Sequence, residues 1–222
     1  CWPKRRFAAG HVNTPPFALE KLLQDEECQV HLVAYENRSA PLAALEAYAL
    51  AEFARAEKGH WTGLYNLYYD HSLSENTPVV VLEKIAGNEK RWVRKGVAHN
   101  RNTPVHILKN LAKDGCWDVR LGVALNPNTP LPLLELLADD DDINVRGGVG
   151  LNESTPVSLL EKLVCDESET VRRAVARNSN TPVQLLEKLA EDNDEFIRNL
   201  VAGNQNTPVS ILEKLAFDGS EK

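Results

Sequence analysis

The amino-acid sequence predicts an all-α solenoid, that is, a stack of repeated helical units. Three observations lead to this fold class: a dipeptide that returns at a fixed interval, an apolar pattern with helical spacing, and polar residues that return at the turns. The dipeptide is Thr-Pro, and its prolines follow one another at intervals of 26 residues at Pro78, Pro104, Pro130, Pro156, Pro182 and Pro208. Self-similarity at a fixed period of this size is typical of stacked repeats.

A first helix is predicted at each Thr-Pro pair. Threonine can cap the first turn, and proline suits the first helical position because its missing N–H has no intrahelical partner there. After Pro182, apolar residues lie one, three, four, seven and eight places further on, at Val183, Leu185, Leu186, Leu189 and Ala190. This spacing places them on one face of a helix. We expect the helix to span about ten residues.

A second, shorter apolar pattern completes each repeat. It follows a turn that carries an aspartate, and it reads VRLGVAL at 119–125 and VRRAVAR at 171–177, before an asparagine and the next Thr-Pro. We interpret it as a second, shorter helix, either α or 3₁₀. Two such helices cannot bury their apolar faces alone, so we expect neighbouring repeats to share one core.

The N-terminal part of the chain carries less regular copies of the repeat. Pro15 and Pro41 are also 26 residues apart, but 37 residues separate Pro41 from Pro78. We therefore expect about eight repeats in one solenoid over residues 1–222, with an irregular, aromatic-rich insertion near residues 46–75. Because Cys1-Trp2 falls in the second half of a repeat, we expect a preceding segment, and we expect Trp2 and Phe7 to be partly uncovered.

The repeat unit NxNTPxxLLxxLAxDxxxxVRxxVA, clearest from Asn76 to Ala216, resembles the leucine-rich repeat variant family. Its second half is also similar to a HEAT repeat. The resemblance implies a right-handed superhelix built from alternating α- and 3₁₀-helices. Some family members carry an N-terminal domain in which clustered cysteines hold an iron–sulfur cluster, whereas the cysteines of this sequence are not clustered.

Composition and charge narrow the classes of function. The net charge of −7 disfavours nucleic acid as a partner, since an acidic chain repels phosphate unless its basic residues gather on one face. The four cysteines form no Cys-x-x-Cys pair, which predicts free thiols rather than a zinc or redox motif. No apolar run approaches the roughly 18 residues of a membrane span, and no leader resembles a signal peptide. We therefore expect a cytoplasmic protein without a cofactor or a metal.

Polar residues recur at two fixed positions of the repeat, and each such set of equivalent residues forms a column along the predicted stack. One is an arginine column beside the turn aspartates, which we interpret as a structural Asp–Arg ladder in preference to a basic track for an anionic ligand. The other consists of asparagines before each Thr-Pro, such as Asn126 and Asn128, which predict a stacked ladder of turn caps. The arginines are Arg94, Arg120, Arg146, Arg172 and Arg198.

The outward side of the second helices carries the candidate partner surface. At 100° per residue, the positions 13, 17 and 21 after each proline point away from the core. In the middle repeats these positions are apolar, and in the repeats on either side they include basic residues. An apolar region with basic rims is typical of a binding surface. The alternative is that the last of the three positions is buried under a loop. The predicted surface consists of Trp117, Leu121, Leu125, Ile143 and Leu151, with Arg91, Lys95, Arg173 and Arg177 at its rims.

A secondary candidate surface lies in the insertion, at Trp61, Tyr65 and Tyr68. These rings either fill an expanded core or form a ligand pocket or partner surface. His60 and the pair Asp70-His71 lie in the same segment, but without a third clear ligand or a nucleophile they predict neither a metal site nor catalysis.

The function predicted from the sequence is a non-catalytic scaffold that binds a protein or peptide, with apolar anchors and acidic flanks, across the second-helix face. Two alternatives stay open. One is a HEAT-like solenoid that binds nucleic acid through the basic residues. The other is an accessory of an iron–sulfur redox protein whose cluster domain is missing from this chain, and it rests on the family resemblance alone.

Overall fold

Fifteen α-helices and no strand occupy the residues that the structure, a computed structural model, describes: 2–57 and 77–217. In chain order the helices are α1 (Trp2–Gly10), α2 (Pro16–Leu22), α3 (Cys28–Glu36), α4 (Leu42–Glu57), α5 (Val79–Ile85), α6 (Arg91–His99), α7 (Val105–Leu111), α8 (Trp117–Leu125), α9 (Leu131–Leu137), α10 (Ile143–Leu151), α11 (Val157–Leu163), α12 (Glu169–Arg177), α13 (Val183–Leu189), α14 (Glu195–Gly203) and α15 (Val209–Ala216).

The helices follow the 26-residue repeat, which confirms the all-α solenoid of two-helix units. From α5 to α14, each first helix has seven residues and each second helix has nine. The expected lengths were therefore wrong, because the second helix is the longer one. The sequence left open whether the second helix is an α-helix or a 3₁₀-helix, and in the structure it is an α-helix.

The first helix of each repeat begins after its proline and not at it, which shortens the helix. Pro130 has φ −72° and ψ 153°, so it is the extended N-cap residue of α9 and not its first helical residue. Its carbonyl accepts the N–H groups of Leu133 and Leu134 at 2.9 and 3.2 Å. The hydroxyl of Thr129 donates instead to the carbonyl of Val123 in α8, at 2.6 Å. The predicted threonine cap is wrong, and the threonine ties the start of α9 to the preceding second helix.

The core lies between the first and second helices of neighbouring repeats. Leu134, Leu160 and Leu186 of three consecutive first helices are at most 1% exposed. The second helices contribute fully buried pairs such as Val145 and Val149. Because α8 packs against α10, and α10 against α12, these pairs belong to adjoining layers of one stack.

Asp–Arg pairs link consecutive repeats, which confirms the structural ladder. Arg120, Arg146 and Arg172 each reach the aspartate 20 residues later. Each of them also donates to a turn carbonyl, as Arg146 Nη1 does to that of Asp140 at 2.9 Å. Burial raises the pKa of the Asp140 carboxyl, but hydrogen bonds from Arg120 and the Asp142 N–H outweigh it and hold that pKa below its usual value. The Nε–Oδ2 distances are 2.6 Å for Arg5–Asp25, 2.6 Å for Arg120–Asp140, 2.7 Å for Arg146–Asp166 and 2.7 Å for Arg172–Asp192.

The asparagine column forms the predicted ladder of turn caps. Asn178 is 2% exposed, and its Nδ2 donates to the carbonyls of Gly150 and Asn152 in the preceding repeat at 2.8 and 3.0 Å. Its Oδ1 accepts the N–H of Asn180 at 2.8 Å. The same bonds recur at Asn204, which donates to two carbonyls one repeat earlier. These bonds satisfy buried carbonyl groups at the ends of α10 and α12.

Contacts divide the chain into two compact units, Cys1–Ile107 and Leu108–Lys222. In the first unit, Trp2 and Phe7 are 41% and 80% exposed, as the sequence predicted. The second unit contains the most regular repeats. A single right-handed solenoid over the whole chain depends on how the two units join, and it stays a prediction.

Candidate partner surface

Four second helices of the second unit carry the candidate surface. Helix α8 packs against α10, α10 against α12, and α12 against α14. Since side chains on the core side of each helix are fully buried, the opposite side faces away from the core, and equivalent positions of consecutive repeats lie on neighbouring helices. The fully buried residues are Val119, Val123, Val145, Val149, Val171, Val175, Ile197 and Val201.

Three large apolar side chains are exposed on α8 and α10. Trp117 is the first residue of α8, while Ile143 and Leu151 are the first and last residues of α10. Their exposed fractions are 42%, 42% and 40%. Large apolar side chains left exposed on adjacent packed helices are typical of an interaction surface.

Leu121 and Leu125, the other two apolar members of the predicted surface, are half-buried. The reason is the adjoining helix, which carries a glycine opposite them. A Cβ placed on Gly148 would lie 2.6 Å from Leu121 Cδ1 and 3.7 Å from Leu125 Cγ. The two leucines therefore lean across the backbone of α10, and only part of each side chain is accessible to a partner.

Arg173, predicted at one rim of the surface, is held by acidic groups. Its Nε donates to Asp194 Oδ2 at 2.8 Å, and its Nη2 lies 3.8 Å from Glu169 Oε1. Its guanidinium also lies 5.2 Å from the ring centre of Phe196, close enough for a cation–π interaction. Asp194 is fixed in turn as the N-cap of α14, where it accepts the Phe196 N–H. The charge of Arg173 is thus balanced within the protein.

Arg177, the other predicted rim residue of this unit, is the last residue of α12 and is exposed. Within the part of the chain that the structure describes, its guanidinium has no ion pair or hydrogen bond. A positive charge in the last turn of a helix interacts favourably with the helix macrodipole. Its charge is also available to an acidic ligand.

Arg91 and Lys95, the remaining rim candidates, lie on α6 in the first unit, where Arg91 is exposed and Lys95 is half-buried. Their place at the rim of the surface stays a prediction. The secondary candidates Trp61, Tyr65 and Tyr68 lie outside the described residues, as do His60, Asp70 and His71.

Phe196 is an exposed aromatic residue that the helical positions 13, 17 and 21 did not include. It is 68% exposed at the second residue of α14, beside Arg173. The equivalent residues of the three preceding repeats are Asp118, Asn144 and Thr170. An aromatic side chain at a position that is polar in these neighbours was the signal that could have identified it.

An acidic cleft of about 560 Å³ opens on the turns between two repeats of the second unit. Asp139, Asp141 and Glu167 line it, together with Arg146 and Lys162. Among residues 2–57 and 77–217, no group of three or more histidine, cysteine, aspartate or glutamate side chains is placed to hold a metal ion. Over the same ranges, no helix combines the length and apolar character that a membrane span needs.

Comparison with known proteins identifies the repeat. The family model described as leucine rich repeat variant matches residues 117–142 and 169–194. These two repeats match the leucine-rich repeat variant family. A solved structure described as a leucine-rich repeat variant with a novel repetitive structural motif aligns with a TM-score of 0.50 and 23% identity, over 90% of this chain and 75% of that one. This likeness shows the fold. A comparison with curated proteins gave no match.

The two matched leucine-rich repeat variant repeats differ at the candidate surface. Each begins at the first residue of a second helix, Trp117 in one and Glu169 in the other. Both keep the Val-Arg pair that supplies a core residue and a ladder arginine. The family pattern therefore specifies the stack, and the outward positions are free to differ from repeat to repeat.

Proposed function

We propose that this protein is a non-catalytic scaffold that binds a protein or peptide across the outward side of its second helices, and that it acts in the cytoplasm. One observation carries the proposal: Trp117, Ile143 and Leu151 are each at least 40% exposed on two helices whose inner sides are completely packed. The exposed parts of these side chains do not contribute to core packing. Their burial against a partner would release water from apolar surface and favour binding.

The polar columns support a binding role over a chemical one. The arginine–aspartate and asparagine columns of the described repeats form structural hydrogen bonds between repeats. Arg120, Arg146 and Arg172 are consequently neutralised, and a phosphate backbone would find little free positive charge along this column. A protein or peptide partner fits the surface better than nucleic acid does.

The test is a selection of binding peptides from a random display library with the purified full chain, followed by affinity measurements on two variants. Trp117→Ala should weaken binding by about 2 kcal/mol or more, since large aromatic side chains dominate interface energies. Phe17→Ala is the matched control, because Phe17 is an aromatic residue, 66% exposed, on a first helix. Equal affinities of Trp117→Ala and wild type for every selected peptide would refute the proposed surface.

A further inference from the structure

We propose that the Cys165–Lys188 pair is a site of oxidative modification, at which a hydroperoxide causes the cysteine sulfur to bond to the lysine nitrogen. Cys165 lies in the turn after α11, and Lys188 lies in α13 of the next repeat. The inference goes beyond the proposed function, because both residues lie outside the second helices that carry the candidate partner surface.

The two side chains are in direct contact. Lys188 Nζ donates to Cys165 Sγ at 2.8 Å, and Cys165 Sγ donates to the carbonyl of Glu161 at 3.6 Å. Cys165 is a free thiol, and both residues of the pair are exposed, so a small dissolved oxidant can reach the sulfur. Groups held about 3 Å apart react much faster than groups that must first meet by diffusion. The contact therefore favours a reaction between this sulfur and this nitrogen.

The neighbouring repeats show that the lysine is placed by the repeat itself. Asp139 and Glu191 lie 26 residues before and after Cys165, at the equivalent positions. Each accepts from the lysine 23 residues further on, Asp139 from Lys162 and Glu191 from Lys214. Cys165 thus puts an oxidisable sulfur where the adjacent repeats have a carboxylate that pairs with lysine. The amine stays in the same place, and only its partner has changed.

The first step of the reaction is the oxidation of the thiol. The Cys165 sulfur attacks one oxygen of hydrogen peroxide, and the O–O bond breaks. The thiol and the peroxide give a sulfenic acid and water, so the sulfur loses two electrons and the peroxide gains them. The exposure of Cys165 permits this step, and the step needs no group of the protein other than the thiol.

The second step is a condensation with the amine. The Lys188 ammonium first loses a proton to water, and the nitrogen lone pair then attacks the sulfur of the sulfenic acid. An S–N bond forms, the S–O bond breaks, and the hydroxyl leaves as water with one proton from the nitrogen. The product is a sulfenamide, a known end point of sulfenic acids that meet a nitrogen nucleophile.

Lys188 decides what becomes of the sulfenic acid. A sulfenic acid without a nearby nucleophile is oxidised further to sulfinic acid, which is irreversible without a dedicated enzyme. An amine already in contact with the sulfur captures the sulfenic acid first. The S–N bond joins the turn after α11 to α13, so the modification ties two consecutive repeats together. A thiol reductant should reverse it.

The test is treatment of the full chain with hydrogen peroxide, followed by mass spectrometry of its peptides. Wild type should give a linked pair of the peptides that contain Cys165 and Lys188, about two mass units lighter than the two unmodified peptides together, because two hydrogens are lost. Dithiothreitol should release both peptides. Lys188→Arg keeps the positive charge but has no free amine, so it should lower the yield of the linked pair at least about tenfold and leave Cys165 to form sulfinic acid.

Two controls make each result decisive. Lys162→Arg changes the equivalent lysine of the preceding repeat, which contacts Asp139, and should leave the yield of the linked pair unchanged. Cys28 is exposed at the first residue of α3, so its oxidation shows that the peroxide dose was sufficient. Thermal unfolding of both lysine variants shows that they remain folded.

Three outcomes would overturn the inference. In the first, Cys28 is oxidised but Cys165 and Lys188 are not linked. In the second, Lys188→Arg forms the linked pair as well as wild type does, so that another nitrogen is the nucleophile. In the third, the linked pair is about 14 mass units heavier than the two unmodified peptides together, which would mean that an oxygen remains between sulfur and nitrogen and that no S–N bond forms.

Discussion

Arg172 and Arg173 are neighbours in the sequence, yet their guanidinium groups have different roles. Arg172 binds Asp192, 20 residues later, within the ladder, and Arg173 binds Asp194, 21 residues later, beside the candidate surface. Arg177, one turn further along the same helix, is exposed. Whether an arginine can bind a ligand therefore depends on the acidic residues of the next repeat, and not on its own position around the helix.

Replacing Asp140 by asparagine should lower the free energy of unfolding by about 1–3 kcal/mol at pH 7, because Arg120 loses its charged partner in a mostly buried site. Asp140 accepts from Arg120 Nε and Nη2 at 2.6 and 2.8 Å, and its side chain is 9% exposed. Asp141→Asn is the matched control, since Asp141 is exposed next to it. Urea unfolding of the three proteins measures the difference.

The Arg120–Asp140 pair also predicts how the stability difference between wild type and Asp140→Asn depends on pH. The pKa of Asp140 is lowered in the folded protein, so the folded state binds fewer protons than the unfolded state in acid. The stabilisation is complete above the unfolded pKa of about 3.9 and is lost as pH falls through the folded pKa. Wild type and Asp140→Asn should thus converge in stability at low pH. If the difference in free energy of unfolding between the two proteins stayed constant down to pH 2, the ion pair would be contradicted.

At the scale of elements, the period and the apolar spacing were enough to predict which segments are helical, because both depend on local sequence. The ends of the helices were not predictable in this way. Thr129 lies where the sequence predicts a helix cap, but its hydroxyl donates to the carbonyl of Val123. Only the folded turn brings that carbonyl close. The same limit applies to the candidate surface, where Gly148 of the next helix determines how Leu121 is exposed.

Two adjacent glycines of α10 should respond in opposite ways to alanine. Around Gly147, an added Cβ would lie 3.9 Å from the nearest atoms, so Gly147→Ala should stabilise the protein by about 0.5–1 kcal/mol through helix propensity. At Gly148 the added Cβ would lie 2.6 Å from Leu121 Cδ1 and 3.0 Å from Ala124 Cβ. Leu121 can rotate away, but Ala124 cannot, so α8 and α10 must move apart.

We therefore expect Gly148→Ala to destabilise the protein by about 1–3 kcal/mol relative to Gly147→Ala. Chemical unfolding of both variants measures the difference, and Gly147→Ala controls for helix propensity. If the two variants proved equally stable, the close packing of α8 on α10 that half-buries Leu121 would be refuted.

At the scale of the whole molecule, three kinds of link hold consecutive repeats of the second unit together. They are the apolar core, the Asp–Arg pairs and the asparagine ladder, and all three lie away from Trp117, Ile143 and Leu151. Stability and recognition therefore use different residues of each repeat. The outward positions can change without loss of the stack, which is the property that a repeat scaffold needs.

A stack held in this way should respond to a core mutation as a unit. Leu160 is fully buried in α11, and Leu160→Ala should lower the free energy of unfolding by about 2–5 kcal/mol because it leaves a cavity between layers. Hydrogen exchange should show reduced protection in α10, α12 and α13 as well as in α11, since each repeat is stabilised by its neighbours. Val157→Ala, at a position 46% exposed on the same helix, is the control and should change stability by less than about 0.5 kcal/mol. Loss of protection confined to Val157–Leu163 would mean that each repeat carries its own core and that the layers do not share one.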